Sequence, residues 1–151
     1  MSLLPRGYEL TTDQARIDAA AAHAFLTRSY WSPGISLELV ERAIAGSFCV
    51  AVREDDAQVA FGRVITDYAT FAWLADVHVL EAHRGLGLSK AMVAALQEHP
   101  RLQGLRRWGL HTLDAQELYL PLGWTLQAHP ERMMERVFAI DYGAKNYEAA
   151  E

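Results

Sequence analysis

The segment Arg84-Gly85-Leu86-Gly87-Leu88-Ser89-Lys90 has the residue types of an anion cradle. Glycines at 85 and 87 remove side chains that would hold the backbone away from a phosphate. A helix starting near Leu88 offers unpaired N–H groups in its first turn and about half a positive charge from its dipole. Arg84 adds a guanidinium at the entrance, and Lys90 an ammonium in the first turn. Together these suit a pyrophosphate, in a chain that is otherwise acidic. Two other phosphate motifs fail on spacing. A P-loop needs Gly-Lys-Ser/Thr after four intervening residues, and the dinucleotide fingerprint needs a third glycine where Lys90 stands. A strand-to-helix turn whose glycines merely allow tight packing stays open as the alternative reading of the loop alone.

Other candidates are single residues. Asp76 lies in the apolar run Trp73-Leu74-Ala75-Asp76-Val77, where a carboxylate is costly unless it is paired or faces a wet cleft. A proton acceptor and a structural carboxylate paired with Arg63 are both open for it. Strict alternation puts Asp76 on the face of Leu74 and His78, opposite Val77 and Val79, and a bulge would reset that count. Cys49, between Phe48 and Val50, reads as core. The six histidines lack the paired spacing of a zinc site, so no metal is expected.

The elements that must position these groups follow from periodicity and breakers. A helix is expected from about Thr12 to Ser29, capped by Thr12 or Asp13, and a second from Ser36 to Gly46. Three strands follow as a meander, near 48–53, 58–66 and 71–80. The glycine loop leads into a helix over 88–99, which Pro100 ends. A strand at 108–112 and a short helix at 115–122 come next, then a last pair of strands at 124–127 and 137–140. This order gives an α+β domain, residues 1–151 as a single unit.

The chain has 151 residues, 51% hydrophobic and 22% charged, with a net charge of −5. Such an acidic balance does not suit nucleic acid, which needs a basic footprint. No apolar run approaches the roughly 20 residues that span a bilayer. The single cysteine fits a reducing compartment, and a cytoplasmic location is expected.

The loop resembles the acetyl-CoA loop of the GNAT superfamily of N-acetyltransferases, Gln/Arg-x-x-Gly-x-Gly/Ala, with Ser89 in place of the last small residue. Glu81 and His83 stand where that family usually has proline and an aromatic. Three further segments resemble a broad bacterial subfamily: Tyr30 to Ile35, Arg63 to Phe71, and Pro130 to Met134. The resemblance covers most of the chain. It implies a GNAT fold, with a mostly antiparallel mixed sheet of about six to seven strands flanked by about four helices.

The resemblance also implies acetyl-CoA as cosubstrate, an acyltransferase activity, and transfer to an amine. The cofactor-binding residues it implies are Val77 and Val79 through their backbone, Arg84, Gly85, Leu86, Gly87, Leu88, Ser89 and Lys90 in the cradle, and Asp114 beyond it. Tyr119 takes the place of the general acid, in the segment Thr112 to Tyr119 followed by Leu122-Gly123-Trp124. Asp76 occupies a position where related enzymes often carry a carboxylate. Tyr30, Trp31 and Tyr68 fall where the acceptor site is commonly walled. The acceptor is then a small-molecule or peptide amine, and a homodimer is possible. Two alternatives are a non-catalytic acyl-CoA sensor and a protein-lysine acetyltransferase.

Overall fold

The computed structural model of the protein describes residues 4–143. One open sheet of five strands runs in the order β1-β2-β3-β4-β5. Its strands are β1 (Tyr8–Thr11), β2 (Phe48–Glu54), β3 (Ala57–Thr66), β4 (Phe71–Val79) and β5 (Arg107–Gly109). The first four form an antiparallel meander; β5 lies parallel to β4 and pairs with it only from Phe71 to Trp73. Helices cover both faces. On one side are α1 (Ala19–Leu26) and α2 (Leu37–Ala45), closing over Val40, Cys49 and Phe61. On the other are α3 (Leu88–Glu98) and α4 (Gln116–Tyr119), whose core includes Val50, Val64, Leu74, Met92 and Leu96. Successive residues of β3 part between the layers: Ala60 joins the α3 side and Phe61 the α1–α2 side.

The expected helix over 12–29 is two pieces. Asp13 caps a single 3-10 turn at Gln14–Arg16, and Asp18, in extended backbone, caps α1 by accepting from Ala21 N–H. Side-chain amides hold the break. The buried Gln58 accepts from Asp18 N–H at 2.8 Å and donates to its carbonyl at 3.0 Å. Gln14 exchanges the same two bonds with Cys49, each 2.9 Å, so its amide imitates a strand neighbour at the edge of β2. Tertiary hydrogen bonds thus override helical periodicity here. The four-residue β1 was too short to signal itself, and Ser36 caps α2 as expected. Gly46 ends α2 with φ −92°, so the helix terminates without a left-handed residue.

Near the C-terminus, β5 is confined to 107–109, and α4 passes into a 3-10 turn, Leu120–Leu122, at Pro121. The expected strands at 124–127 and 137–140 are absent among the described residues, which gives five strands rather than six or seven. These segments have strand-like composition, but no described strand pairs with them, and Leu126, Val137, Phe138 and Ile140 are exposed. Composition alone does not make a strand without a partner ladder.

Candidate active site

β4 carries a bulge. Phe61 pairs with His78 and Arg63 with Ala75, so Gly62 alone faces both Asp76 and Val77. Asp76 adopts φ +59°, a left-handed conformation that is rare for a non-glycine residue inside a strand. Gly62 is small for a reason: a Cβ there would stand 3.3 Å from the Val77 side chain. The extra residue shifts the phase of the strand. Leu74 and Val79 pack in the α3-side core with Val77 against it, whereas His78 stacks on Phe25 of α1. Asp76 therefore shares the α1–α2 side with His78 and parts from Leu74, which corrects the simple alternation.

Beyond Trp73 the far edge of β4 has no strand partner among the described residues. Leu80 N–H bonds Val59 across to β3, so alternation turns the polar groups of Val79 toward that open edge. The Val79 carbonyl accepts from Arg84 Nε at 2.9 Å. A 3-10 turn, Glu81–His83, then carries the chain into the glycine loop, and His83 is tied back to β1 by Tyr8 Oη at 2.8 Å.

Gly85 and Gly87 both have φ +79°, and a Cβ at either would meet nothing within 4 Å. Glycine is required there by conformation, and the space above stays open to an approaching group. Gly87 is the N-cap of α3; no side chain caps that end and no acid lies in its first turn. The N–H of Ala91 is the first to bond within the helix, to the Gly87 carbonyl. The amides of Leu88, Ser89 and Lys90 thus remain for an anion, with Arg84 and Lys90 close in sequence. These features fit a pyrophosphate-bearing cosubstrate such as coenzyme A.

Tyr119 ends α4 and is buried in the α3-side core against Trp124, with ring centroids 5.7 Å apart. Gln97 of α3 fixes this corner, accepting from Trp124 Nε1 at 2.8 Å and donating to the Leu122 carbonyl at 3.0 Å. The Tyr119 hydroxyl makes no hydrogen bond among the described residues, and burial raises its pKa above the ordinary value, so it stays protonated at neutral pH. Asp114 is exposed in the loop before α4.

On the α1–α2 side, Asp76 accepts from Arg63 Nε at 2.7 Å and from Trp31 Nε1 at 2.8 Å. Arg63 also donates to Ser47 Oγ. Trp31 meets Tyr30 edge-on at 5.1 Å and Phe25 at 5.8 Å, and Phe25 stacks flat on His78 at 4.0 Å. His78 shares its Nδ1 with the Asp76 carbonyl at 2.9 Å, and burial lowers its pKa to about 4, so the ring is neutral. Sequence reasoning missed His78, Phe25 and Gln97 as partners of the site; only the position of His78 between Val77 and Val79 could have flagged one of them.

Tyr68 does not join this group. It sits at the β3–β4 hairpin with φ +61°, its ring under the Arg101 guanidinium at 4.4 Å and edge-on to Phe48. Its neighbour Asp67 closes the turn by accepting from the backbone of Ala69, Thr70 and Phe71 and from Thr70 Oγ, which holds its carboxyl well below the usual range. Cys49 is buried and its thiol is pushed up to about 12, which removes it as a nucleophile. No group of three potential metal ligands gathers among the described residues, and none of the described helices is long and apolar enough to cross a membrane.

The chain thus has an open sheet whose bulged fourth strand runs, through the glycine loop, into a helix with no side-chain cap. The sequence pattern of the acetyltransferase (GNAT) family matches residues 8–124, and the chain belongs to that family. It is similar to a GNAT-family protein of known structure from Xanthomonas campestris pv. campestris, with 46% identity and a TM-score of 0.85 over 89% of this chain and 95% of that one. A relative from Gibberella zeae, named provisionally as an acetyltransferase, is 30% identical over 135 residues, covering 74% of this chain and 75% of its own. The fold also matches glucosamine-6-phosphate N-acetyltransferase from Arabidopsis thaliana, with a TM-score of 0.60 at 14% identity over 87% and 98% of the two chains.

Proposed function

We propose that this chain is an acetyl-CoA-dependent N-acetyltransferase that moves the acetyl group to a primary amine by direct attack on the thioester. The observation that carries this reading is the open edge of β4 leading straight into two left-handed glycines at the uncapped start of α3. An extended pantetheine arm lies along such an edge as an added strand does, and a pyrophosphate fits the amides of the helix start.

In this reading the backbone of Val77 and Val79 takes the arm, and Leu86 to Lys90 with Arg84 take the pyrophosphate. Asp114 lies at the rim. The N–H of Val79 polarises the thioester carbonyl as a single oxyanion donor. Tyr30 and Trp31 wall the acceptor, and Asp76 receives its ammonium and the proton that it must lose before attack. The amine nitrogen then bonds to the carbonyl carbon, the carbon–sulfur bond breaks, and the thiolate takes its proton from the Tyr119 hydroxyl. The second proton, which the nitrogen sheds on becoming an amide, restores the Tyr119 phenol by way of solvent. A desolvated phenol that holds its proton at neutral pH suits that step.

The test is thiol release from acetyl-CoA against a panel of primary amines, with Tyr119→Phe as the probe. Removal of a positioned acid should lower kcat about 10²- to 10³-fold while acetyl-CoA affinity, read by calorimetry, is unchanged. Full turnover in Tyr119→Phe would remove Tyr119 from the chemistry. Absence of both acetyl-CoA binding and turnover would end the acetyl-transfer reading.

A further inference from the structure

A cavity of about 250 Å³ lies between α2, the end of α1 and the sheet. Its walls include Leu26, Val40, Ala43, Ile44 and Phe61 with the hydroxyl residues Ser32 and Tyr142, and among the described residues its charged lining is Arg63 and Asp76. That volume is just under the range of about 300–1,000 Å³ that holds drug-sized ligands. The charged pair is internally neutral, with Arg63 Nε 2.7 Å from Asp76 Oδ2 and both side chains largely buried. Asp76 uses one lone pair on each oxygen for Arg63 and Trp31, so a carboxylate with about four acceptor sites keeps room for one ammonium.

From this geometry we infer that the cavity takes the body of a small monoamine whose carbon skeleton is apolar and uncharged, with its ammonium at Asp76. This rests on the acetyl-transfer reading for its chemistry, but the binding itself does not. The aliphatic and aromatic side of the wall favours an alkyl or aryl body through the surface removed from water, while the polar groups gather around Asp76, Arg63, Ser32 and Tyr142. A second ammonium inside the cavity finds no second carboxylate among the described lining residues, and an unpaired buried charge is strongly disfavoured. Diamines and polyamines are therefore poor occupants. A lysine side chain has one ammonium, yet it brings a polar peptide backbone to the rim of a pocket sized for a free small molecule. The bulge explains how one strand serves both partners. The left-handed Asp76 turns its carboxylate into the cavity, and three residues on, the main chain of Val79 faces the open edge.

The 151-residue chain is titrated, with coenzyme A present, with phenethylamine, putrescine and N-acetyl-lysine methylamide, and thiol release is followed with acetyl-CoA in parallel. Phenethylamine should bind and turn over at least about 10-fold better than the other two, the scale on which pockets discriminate such groups. Ala43→Phe fills the cavity and should weaken phenethylamine about 10-fold or more while acetyl-CoA affinity holds. Because overpacking can unfold a core, Val40→Ala provides a second arm: by enlarging the cavity it should shift preference toward bulkier aryl amines. Equal or better use of putrescine or the lysine amide overturns the inference, as does phenethylamine affinity indifferent to both substitutions, or no phenethylamine binding at all. Phenethylamine binding that is sensitive to Ala43→Phe, with acetyl-CoA bound but no turnover of any amine, upholds the cavity and refutes acetyl transfer instead.

Discussion

The two sides of β4 are built from different materials. Toward the open edge and α3, the site is made of main chain: the polar groups of Val79, the left-handed glycines and the first amides of the helix. Toward α1 and α2 it is made of side chains: Asp76 held by Arg63 and Trp31, and His78 stacked on Phe25. A main-chain surface depends on conformation and hardly on which residues surround it. A side-chain surface can be rewritten by single substitutions without disturbing the strand. On the proposed reading, the cosubstrate meets the main-chain side and the amine meets the side-chain side.

The sharpest way to break the main-chain side is to put a charge into it. Gly87→Glu places a carboxylate at the positive end of α3 and forces a non-glycine residue to φ +79°, at a strain of about 1–2 kcal/mol. Open space around the position leaves the fold intact. Acetyl-CoA affinity should fall at least about 100-fold by calorimetry, since an anion now faces an anion in a site that selects by charge. Gly87→Ala carries the strain without the charge and should lose far less. Unchanged affinity in Gly87→Glu would move the cosubstrate away from this loop.

The same contrast decides what could be read from the sequence. The glycine loop and the helix after it were legible because glycine spacing and a helix start are local features; the left-handed glycines and the uncapped helix end are what the structure adds. The meander was legible because its strands are long and rich in apolar residues. The bulge was not, because period-2 alternation reads through Leu74, Asp76 and His78 without interruption, and only the pairing with Gly62 shows the extra residue. Tyr68 was grouped with Trp31 because both are aromatic and lie in connections, yet its partners are Phe48 and Arg101. The break before α1 was hidden for a related reason: Gln58, 40 residues away, makes the hydrogen bonds that stop the helix. Long-range side-chain contacts leave no periodic trace.

A smaller effect is expected on the side-chain half from Asp76→Asn. Asparagine tolerates the left-handed backbone and its amide oxygen can still accept from Trp31, so the substitution isolates the charge. The Arg63 guanidinium loses its counter-ion in a largely buried place, at a cost of about 1–3 kcal/mol in stability by denaturant unfolding. If Asp76 also receives the acceptor ammonium, kcat/KM for the amine falls about 10- to 100-fold, at or below the low end of what a positioned proton acceptor contributes. Acetyl-CoA affinity should hold, because the main-chain half is untouched. A stability loss with unaltered kcat/KM would reduce Asp76 to a cross-strand support and leave the comparison with one functional side.

A last prediction concerns how the two halves meet, at His78, and it is read in pH dependence and not in activity. Its main chain separates Val77 from Val79, while its ring is packed on Phe25 and bonded to the Asp76 carbonyl. Burial lowers its pKa from 6.5 to about 4; the bond to Asp76 and that residue's charge oppose the shift, and Arg84 adds to it. The unfolded chain therefore takes up a proton as pH falls through 6.5, and the folded protein does not until about pH 4. The stability associated with the neutral ring is present in full above pH 6.5 and is lost progressively between 6.5 and 4, by about 3 kcal/mol over the whole window. His78→Phe keeps a flat ring against Phe25 and cannot titrate. Denaturant unfolding at pH 7.5 and 4.5 should show the parent protein losing more stability than the variant on acidification, by most of that amount. Other carboxylates contribute equally to both proteins and cancel in the difference. Parallel losses in the two proteins would mean that the ring is open to water and that its packing on Phe25 does not seal this side of β4.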